Sequence, residues 1–184
     1  PGFGMFAEPG LGKTSTTLAA FSVLKDNGAA KAMLVVAPLR PCYKVWPTEI
    51  AKWADFAGMS CTILHGDKKL ERLNGPQKDV YIINYEGLQW LEKNLGKKMP
   101  FDVLCLDEST KIKNTQTVRF KVMKRLRDRF SRVWALTGTP VHALTMPAMS
   151  SSSTSSLSMR CSDWSSARRA VATSTCFSRA GIWP

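Results

Sequence analysis

The chain has 184 residues, 44% of them hydrophobic and 22% charged, which suits one domain with a real core and excludes a disordered bulk or a small disulfide-stapled scaffold. Its five cysteines, Cys42, Cys61, Cys105, Cys161 and Cys176, are odd in number, widely spaced and free of any C-x-x-C pair, so neither a zinc site nor a secreted disulfide framework is signalled and a reducing, cytoplasmic setting is expected. With 26 Lys+Arg against 14 Asp+Glu the formal charge is +12, compatible with a nucleic acid or another polyanion as partner, and no apolar run approaches the ~20 residues that span a bilayer.

In chain order, a short apolar stretch at 3–6 runs into AEPGLGKT at 7–14. TSTTLAAFSVLKDNG follows, with Leu18, Phe21 and Leu24 three apart and Gly28 as a C-terminal stop, so the order is strand, glycine-rich loop, helix. MLVVAPL at 33–39 is a continuous apolar run of the kind that forms a strand covered on both faces, ended by Pro38 and Pro41. Thr48 reads as the N-cap of TEIAKWADF, with Ile50, Trp53 and Ala54 on one face and Gly58 closing the helix. Strands are expected at 60–64, before a polar HGDKK loop, at 80–83, at 101–106 and at 133–136. Helices are expected from Gly87 and, strongly basic, over 115–129. Trp53 and Trp134 read as core residues.

Strands alternating with helices imply an α/β fold, a parallel sheet with helices on both faces, whose ligands sit at the carboxyl ends of the strands. Five loops rich in chemistry, the glycine-rich loop, APLRP, NYEG, DEST and TGTP, each follow an expected strand. From 150 to 184 the composition changes: serine dominates, lysine is absent, Asp163 is the sole acid and no apolar period persists. The expected organisation is a lobe at 1–140 and a serine-rich tail at 141–184, disordered or translated out of frame. The start at Pro1, without an initiator methionine, leads us to expect a missing upstream segment.

AEPGLGKT fits the phosphate-loop pattern [AG]-x-x-x-x-G-K-[ST]. Gly10 and Gly12 let backbone N–H groups point inward, Lys13 reaches the β/γ-phosphates and Thr14 offers its hydroxyl to Mg²⁺, so ATP and Mg²⁺ are the expected cofactors. After the strand in FDVLCLDEST, Asp107 can hold the metal through its water shell and Glu108 can orient and deprotonate an attacking water. Lys13, Asp107 and Glu108 are therefore the catalytic candidates, and Thr14 and Asp107 the metal-side pair. Pro38, Arg40, Tyr85, Thr137, Gly138 and Thr139 lie at other strand ends, where a surface tracking a phosphate backbone and a purely structural turn are both open. Lys111, Lys113, Lys121, Lys124, Arg125, Arg127, Arg129 and Arg132 read first as a solvated helix face and second as nucleic-acid contacts. His65 and His142 have no partners at metal-ligand spacing.

Taken in order, AEPGLGKT, VVAPLRPCYKVWPTEIAKW, YIINYEGL, LCLDEST and WALTGTP resemble the first RecA-like motor lobe of superfamily two helicases. More closely they resemble the Swi/Snf-related ATPases of phage and bacterial type, over residues 3–140. The resemblance places Gly10, Gly12, Lys13 and Thr14 in motif I, Pro38 and Arg40 in motif Ia, Tyr85 in motif Ib, Asp107 and Glu108 in motif II, and Thr137, Gly138 and Thr139 in motif III. It implies a P-loop NTPase lobe in which hydrolysis of ATP is coupled to movement on nucleic acid, DNA rather than RNA, with motif III linking the nucleotide to the DNA contacts. DEST departs from the commoner DEAH and DEAD endings. The resemblance further implies an adenine-contacting segment upstream and a second lobe with an arginine finger downstream; without them, weak MgATP binding and poor hydrolysis are expected. The competing readings are a non-hydrolysing, nucleotide-dependent nucleic-acid-binding module and an inactive gene fragment.

Overall fold

Five consecutive apolar residues at Met33–Ala37 have no polar side to turn to water, so the strand they form must be covered on both faces, and all five are buried. A computed structural model describes residues 2–8, 10–96, 99–109 and 116–138. All of them lie in the first of the two units into which the chain divides, Pro1–Thr154. The described elements are β1 Gly2–Phe6, α1 Lys13–Asp26, β2 Met33–Ala37, α2 Leu39–Lys44, α3 Trp46–Lys52, β3 Cys61–Ile63, α4 Lys69–Asn74, β4 Val80–Asn84, α5 Leu88–Leu95, β5 Val103–Asp107, α6 Val118–Arg127 and β6 Arg132–Thr137. Single turns of 3₁₀ helix stand at Ala54–Phe56 and Tyr85–Gly87.

The strands form one six-stranded sheet in the order β1-β6-β5-β2-β4-β3, and every pairing among the described residues is parallel. One face packs Leu34, Val36, Ile83, Leu104 and Leu106 against Leu88 and Leu91 of α5 and Val122 and Leu126 of α6. The other packs Met33, Val35, Ile82 and Cys105 against Leu18 and Phe21 of α1 and Trp46 and Ile50 of α3. Each fully buried side chain of this size contributes about 1.5–3 kcal/mol, so neither helix layer can be stripped without exposing the sheet. The register sets Phe6 beside Thr137, Leu136 beside Asp107, and Ala37 beside Asn84, which brings the carboxyl ends of the strands to one edge.

Gly28 does close α1: the Ala29 N–H donates to the Leu24 carbonyl at 2.8 Å and the Gly28 N–H to the Lys25 carbonyl at 2.9 Å, the paired bonds of a Schellman stop. The expected Thr48 cap is a correction. Val45 keeps helical backbone angles between α2 and α3, the Glu49 N–H already donates to its carbonyl at 2.9 Å, and Thr48 therefore lies inside the helix. The buried face shifts accordingly. Trp53 is 39% exposed, its indole donating to Glu49 at 2.8 Å, while Trp46 is the fully buried tryptophan. Trp134 is half-buried against the α1 side of the core. Pro41 does not end a strand but sits in the first turn of α2, where a missing N–H costs nothing.

The polar stretch after β3 contains α4, a short helix whose single buried side chain, Leu73, is too little to produce a visible period. In the basic segment Thr117 caps α6 by accepting from the Phe120 N–H at 3.3 Å. Arg125 grips Glu92 through two bonds of 2.6 and 2.8 Å, Arg129 donates to the Gly96 carbonyl and Arg132 to the Ala29 carbonyl, while Lys121 and Lys124 are exposed. Part of the basic stretch is thus anchored to its neighbours and part is a solvated face. Lys111, Lys113, Thr139, His142 and the 141–184 tail lie outside the described residues.

Candidate functional site

The loop after β1 turns through two glycines in the left-handed region, Gly10 at φ 86° and Gly12 at φ 74°, where a side chain would be strained. Gly12 is the N-cap of α1, no side chain caps the helix and its first turn holds no acid, so the positive end of the helix faces the loop without a built-in anion. Lys13 folds back over the loop, its ammonium donating to the Ala7 carbonyl at 2.7 Å and the Glu8 carbonyl at 2.9 Å. Thr14, the next residue of α1, is half-buried. The arrangement concentrates positive potential and oriented N–H groups in a glycine-lined turn, which is the physical requirement for holding phosphate oxygens.

Asp107 ends β5, opposite Leu136 in the register and one residue short of Thr137. Its Oδ2 accepts from the Trp46 indole Nε1–H at 3.0 Å, and its main-chain carbonyl accepts from the Tyr85 hydroxyl at 2.5 Å. Burial pushes the Asp107 carboxyl above its ordinary value; the Trp46 hydrogen bond opposes this, neighbouring Glu108 adds to it, and the Lys13 charge opposes it again. The Lys13 charge thus acts on Asp107 from 94 positions away in the chain. Glu108 is exposed, with φ at 53°.

The remaining candidates divide. Thr137 is buried at the end of β6, between β1 and β5, and its carbonyl accepts from the Ala7 N–H at 3.3 Å, so the end of β6 touches the glycine-rich loop directly. Gly138 follows it, exposed. Pro38 is the half-buried N-cap of α2 and Arg40 is exposed in its first turn, both at the end of β2. Tyr85 is buried, 2% exposed, and its hydroxyl turns inward to the Asp107 carbonyl, which favours the structural-turn alternative for its side chain. Burial first, and then the charge of the Asp107 carboxylate, push its phenol well above the usual tyrosine range. Trp46 was not among the expected site residues. A buried indole N–H needs an acceptor, but which carboxylate supplies it is a contact across 61 positions.

A model of the SNF2-related domain matches residues 2–146. The chain belongs to the SNF2-related domain family. Protein p41 of Acyrthosiphon pisum secondary endosymbiont phage 1 is 33% identical over 144 residues, covering 74% of this chain and 31% of that protein. The ATP-dependent DNA helicase DDM1 of Arabidopsis thaliana is 30% identical over 141 residues, covering 72% of this chain and 18% of that protein. Among solved structures, the Sulfolobus solfataricus SWI2/SNF2 ATPase core in complex with dsDNA superposes with a TM-score of 0.65 at 30% identity, covering 76% of this chain and 28% of that one. The parallel sheet with helices on both faces is thus the RecA-like fold of an SNF2 ATPase core. With 31%, 18% and 28% of these relatives covered, this SNF2-related chain spans less than a third of each. Among the described residues no helix is long and apolar enough to cross a membrane.

Proposed function

We propose that this SNF2-related lobe, read as residues 1–140, binds MgATP at the carboxyl ends of β1 and β5 and supplies the hydrolytic half of a motor that moves on DNA. The observation that carries the reading is the meeting of the Lys13 loop and the Asp107 carboxylate at one edge of the sheet, with Thr137 between their strands. Lys13 exchanges the Ala7 and Glu8 carbonyls for β/γ-phosphate oxygens, and the Gly10–Gly12 turn and the start of α1 present N–H groups to the same phosphates.

Thr14 and Asp107 offer hard oxygen donors, which fit Mg²⁺. Among the described residues no group of three or more His, Cys, Asp or Glu side chains could hold a metal, so phosphates and water would complete the shell, as Mg²⁺ habitually requires. When bound, the ion neutralises charge on the phosphate oxygens. Glu108 orients water and takes its proton on a carboxylate oxygen. Arg40 and Pro38 face the nucleic acid from the end of β2, and Thr137 and Gly138 join that side to the nucleotide. DNA is favoured over RNA because the SWI2/SNF2 core that shares this fold was solved with dsDNA. The free thiols of Cys42, Cys61 and Cys105 suit a reducing compartment such as the cytoplasm. A second lobe supplying an arginine belongs to the intact motor.

The test is Glu108→Gln. MgATP affinity is expected to stay within about twofold while the turnover of the chain, measured with duplex DNA present, falls by about 10²–10⁴-fold, the usual worth of a general base. Unchanged turnover would overturn the assignment of Glu108, and turnover undetectable in both chains would favour a non-hydrolysing binding module.

A further inference from the structure

Trp46 is fully buried, and its single donor is spent on one oxygen of Asp107. Tyr85, also buried, fixes the main-chain carbonyl of the same residue. Both donors follow strands on one side of β5: Trp46 comes from the helices after β2, Tyr85 from the turn after β4, and the sheet runs β5-β2-β4 in that direction. Lys13 and Thr14 come from the opposite direction, through β6 and β1. Asp107 is therefore clamped from the α3 side, while the Lys13 loop reaches this edge from the other.

We propose that Trp46 is a positioning residue: its indole N–H holds the Asp107 carboxylate in the orientation that serves the metal and ties that carboxylate to α3. A buried indole that merely needed an acceptor would pack equally well without affecting the metal. The positioning role predicts a specific loss, because an outer hydrogen bond to a metal-side ligand fixes its geometry. Trp46 reaches Asp107 from the helical segment whose first turn holds Arg40, so the bond also gives the nucleic-acid-facing end of β2 a direct mechanical link to the nucleotide side. The inference rests on the reading that Asp107 serves MgATP.

Trp46→Phe keeps a buried ring and removes the N–H. With a fluorescent ATP analogue and the full chain, the Mg²⁺ concentration for half-maximal Mg-dependent binding should rise by about tenfold, while binding in EDTA stays within about twofold. Equal losses in both conditions, or no change in either, would overturn the proposal. A second measurement keeps the tryptophan, so it does not depend on the folding of Trp46→Phe. In ¹⁵N-indole spectra, the Trp46 resonance should move when Asp107→Asn is introduced without nucleotide, and should move on adding MgATP but not ATP with EDTA. A stationary resonance in the Asp107→Asn chain overturns the hydrogen bond itself. A chain that bound no nucleotide under any condition would instead overturn the proposed function, leaving the hydrogen bond to be judged by that resonance.

Discussion

Glu108 is the one non-glycine residue with a positive φ, 53°, among the described residues. Left-handed backbone costs an L-residue about 1–2 kcal/mol, and a candidate general base is where such strain is tolerated for the sake of aim. Glu108→Gly removes the strain but returns about 0.5–1 kcal/mol to the unfolded chain as backbone freedom, leaving a net gain of about 0.5–1 kcal/mol. Calorimetry should therefore show a melting temperature about 1–4 °C above that of Glu108→Ala, which loses the same carboxylate without relief; an equal or lower value would mean that the backbone there is unstrained. At this scale the glycine turn at the start of α1 was legible, because Gly10, Gly12 and Lys13 announce it in local spacing. Trp46 and the inward turn of Tyr85 were not, since both depend on a partner far away in the chain.

The strands are stitched at their amino ends by carboxylates. Asp102 accepts from the Lys31 N–H at 2.6 Å and the Ala32 N–H at 3.2 Å just before β2, and Asp79, preceding β4, does similar work for β3 and α1. It accepts from the Ser60 N–H at 2.7 Å and hydroxyl at 2.9 Å and pairs with Lys25 at 2.7 Å. Burial pushes the Asp79 carboxyl up, but the Lys25 pair and the Ser60 bonds outweigh it and hold the group below its ordinary value of 3.8. The unfolded chain thus takes up this proton first as pH falls. The stabilisation is present above the unfolded value and is lost as pH falls through the depressed folded value. Asp79→Asn should cost about 1–2 kcal/mol in urea unfolding at neutral pH, less than a full charged bond because the amide oxygen still accepts from Ser60, and the gap to the unaltered chain should close in acid. A gap independent of pH would assign the loss to packing. The strands themselves were visible in the sequence, since apolar runs such as 33–37 and 80–83 report burial on both faces directly. Helix starts were less so: α3 begins where Val45 continues the preceding turn, which no capping residue announces, and α4 buries too little to show a period.

Across the whole lobe, alternation of strand and helix gave the fold class, but not the order of the strands. The order β1-β6-β5 places β6 between the strand that leads into the glycine-rich loop and the Asp107 strand, so that Thr137 bonds the loop main chain on one side while its strand carries Leu136 beside Asp107 on the other. The α2–α3 segment and the turn after β4 then brace Asp107 from the remaining side. A nucleotide clamped at one edge and a nucleic-acid-facing segment at the other would thus share a single buried carboxylate, an arrangement suited to making hydrolysis depend on what the far edge holds. Everything in that coupling presupposes MgATP at the Lys13 loop. The most direct measurement is calorimetric titration of the chain and of Lys13→Ala with MgATP: a single site per chain, weakened at least tenfold (about 1.4 kcal/mol) by the substitution, is the predicted result. Equal heats from both chains, or no binding by the unaltered chain, would contradict it.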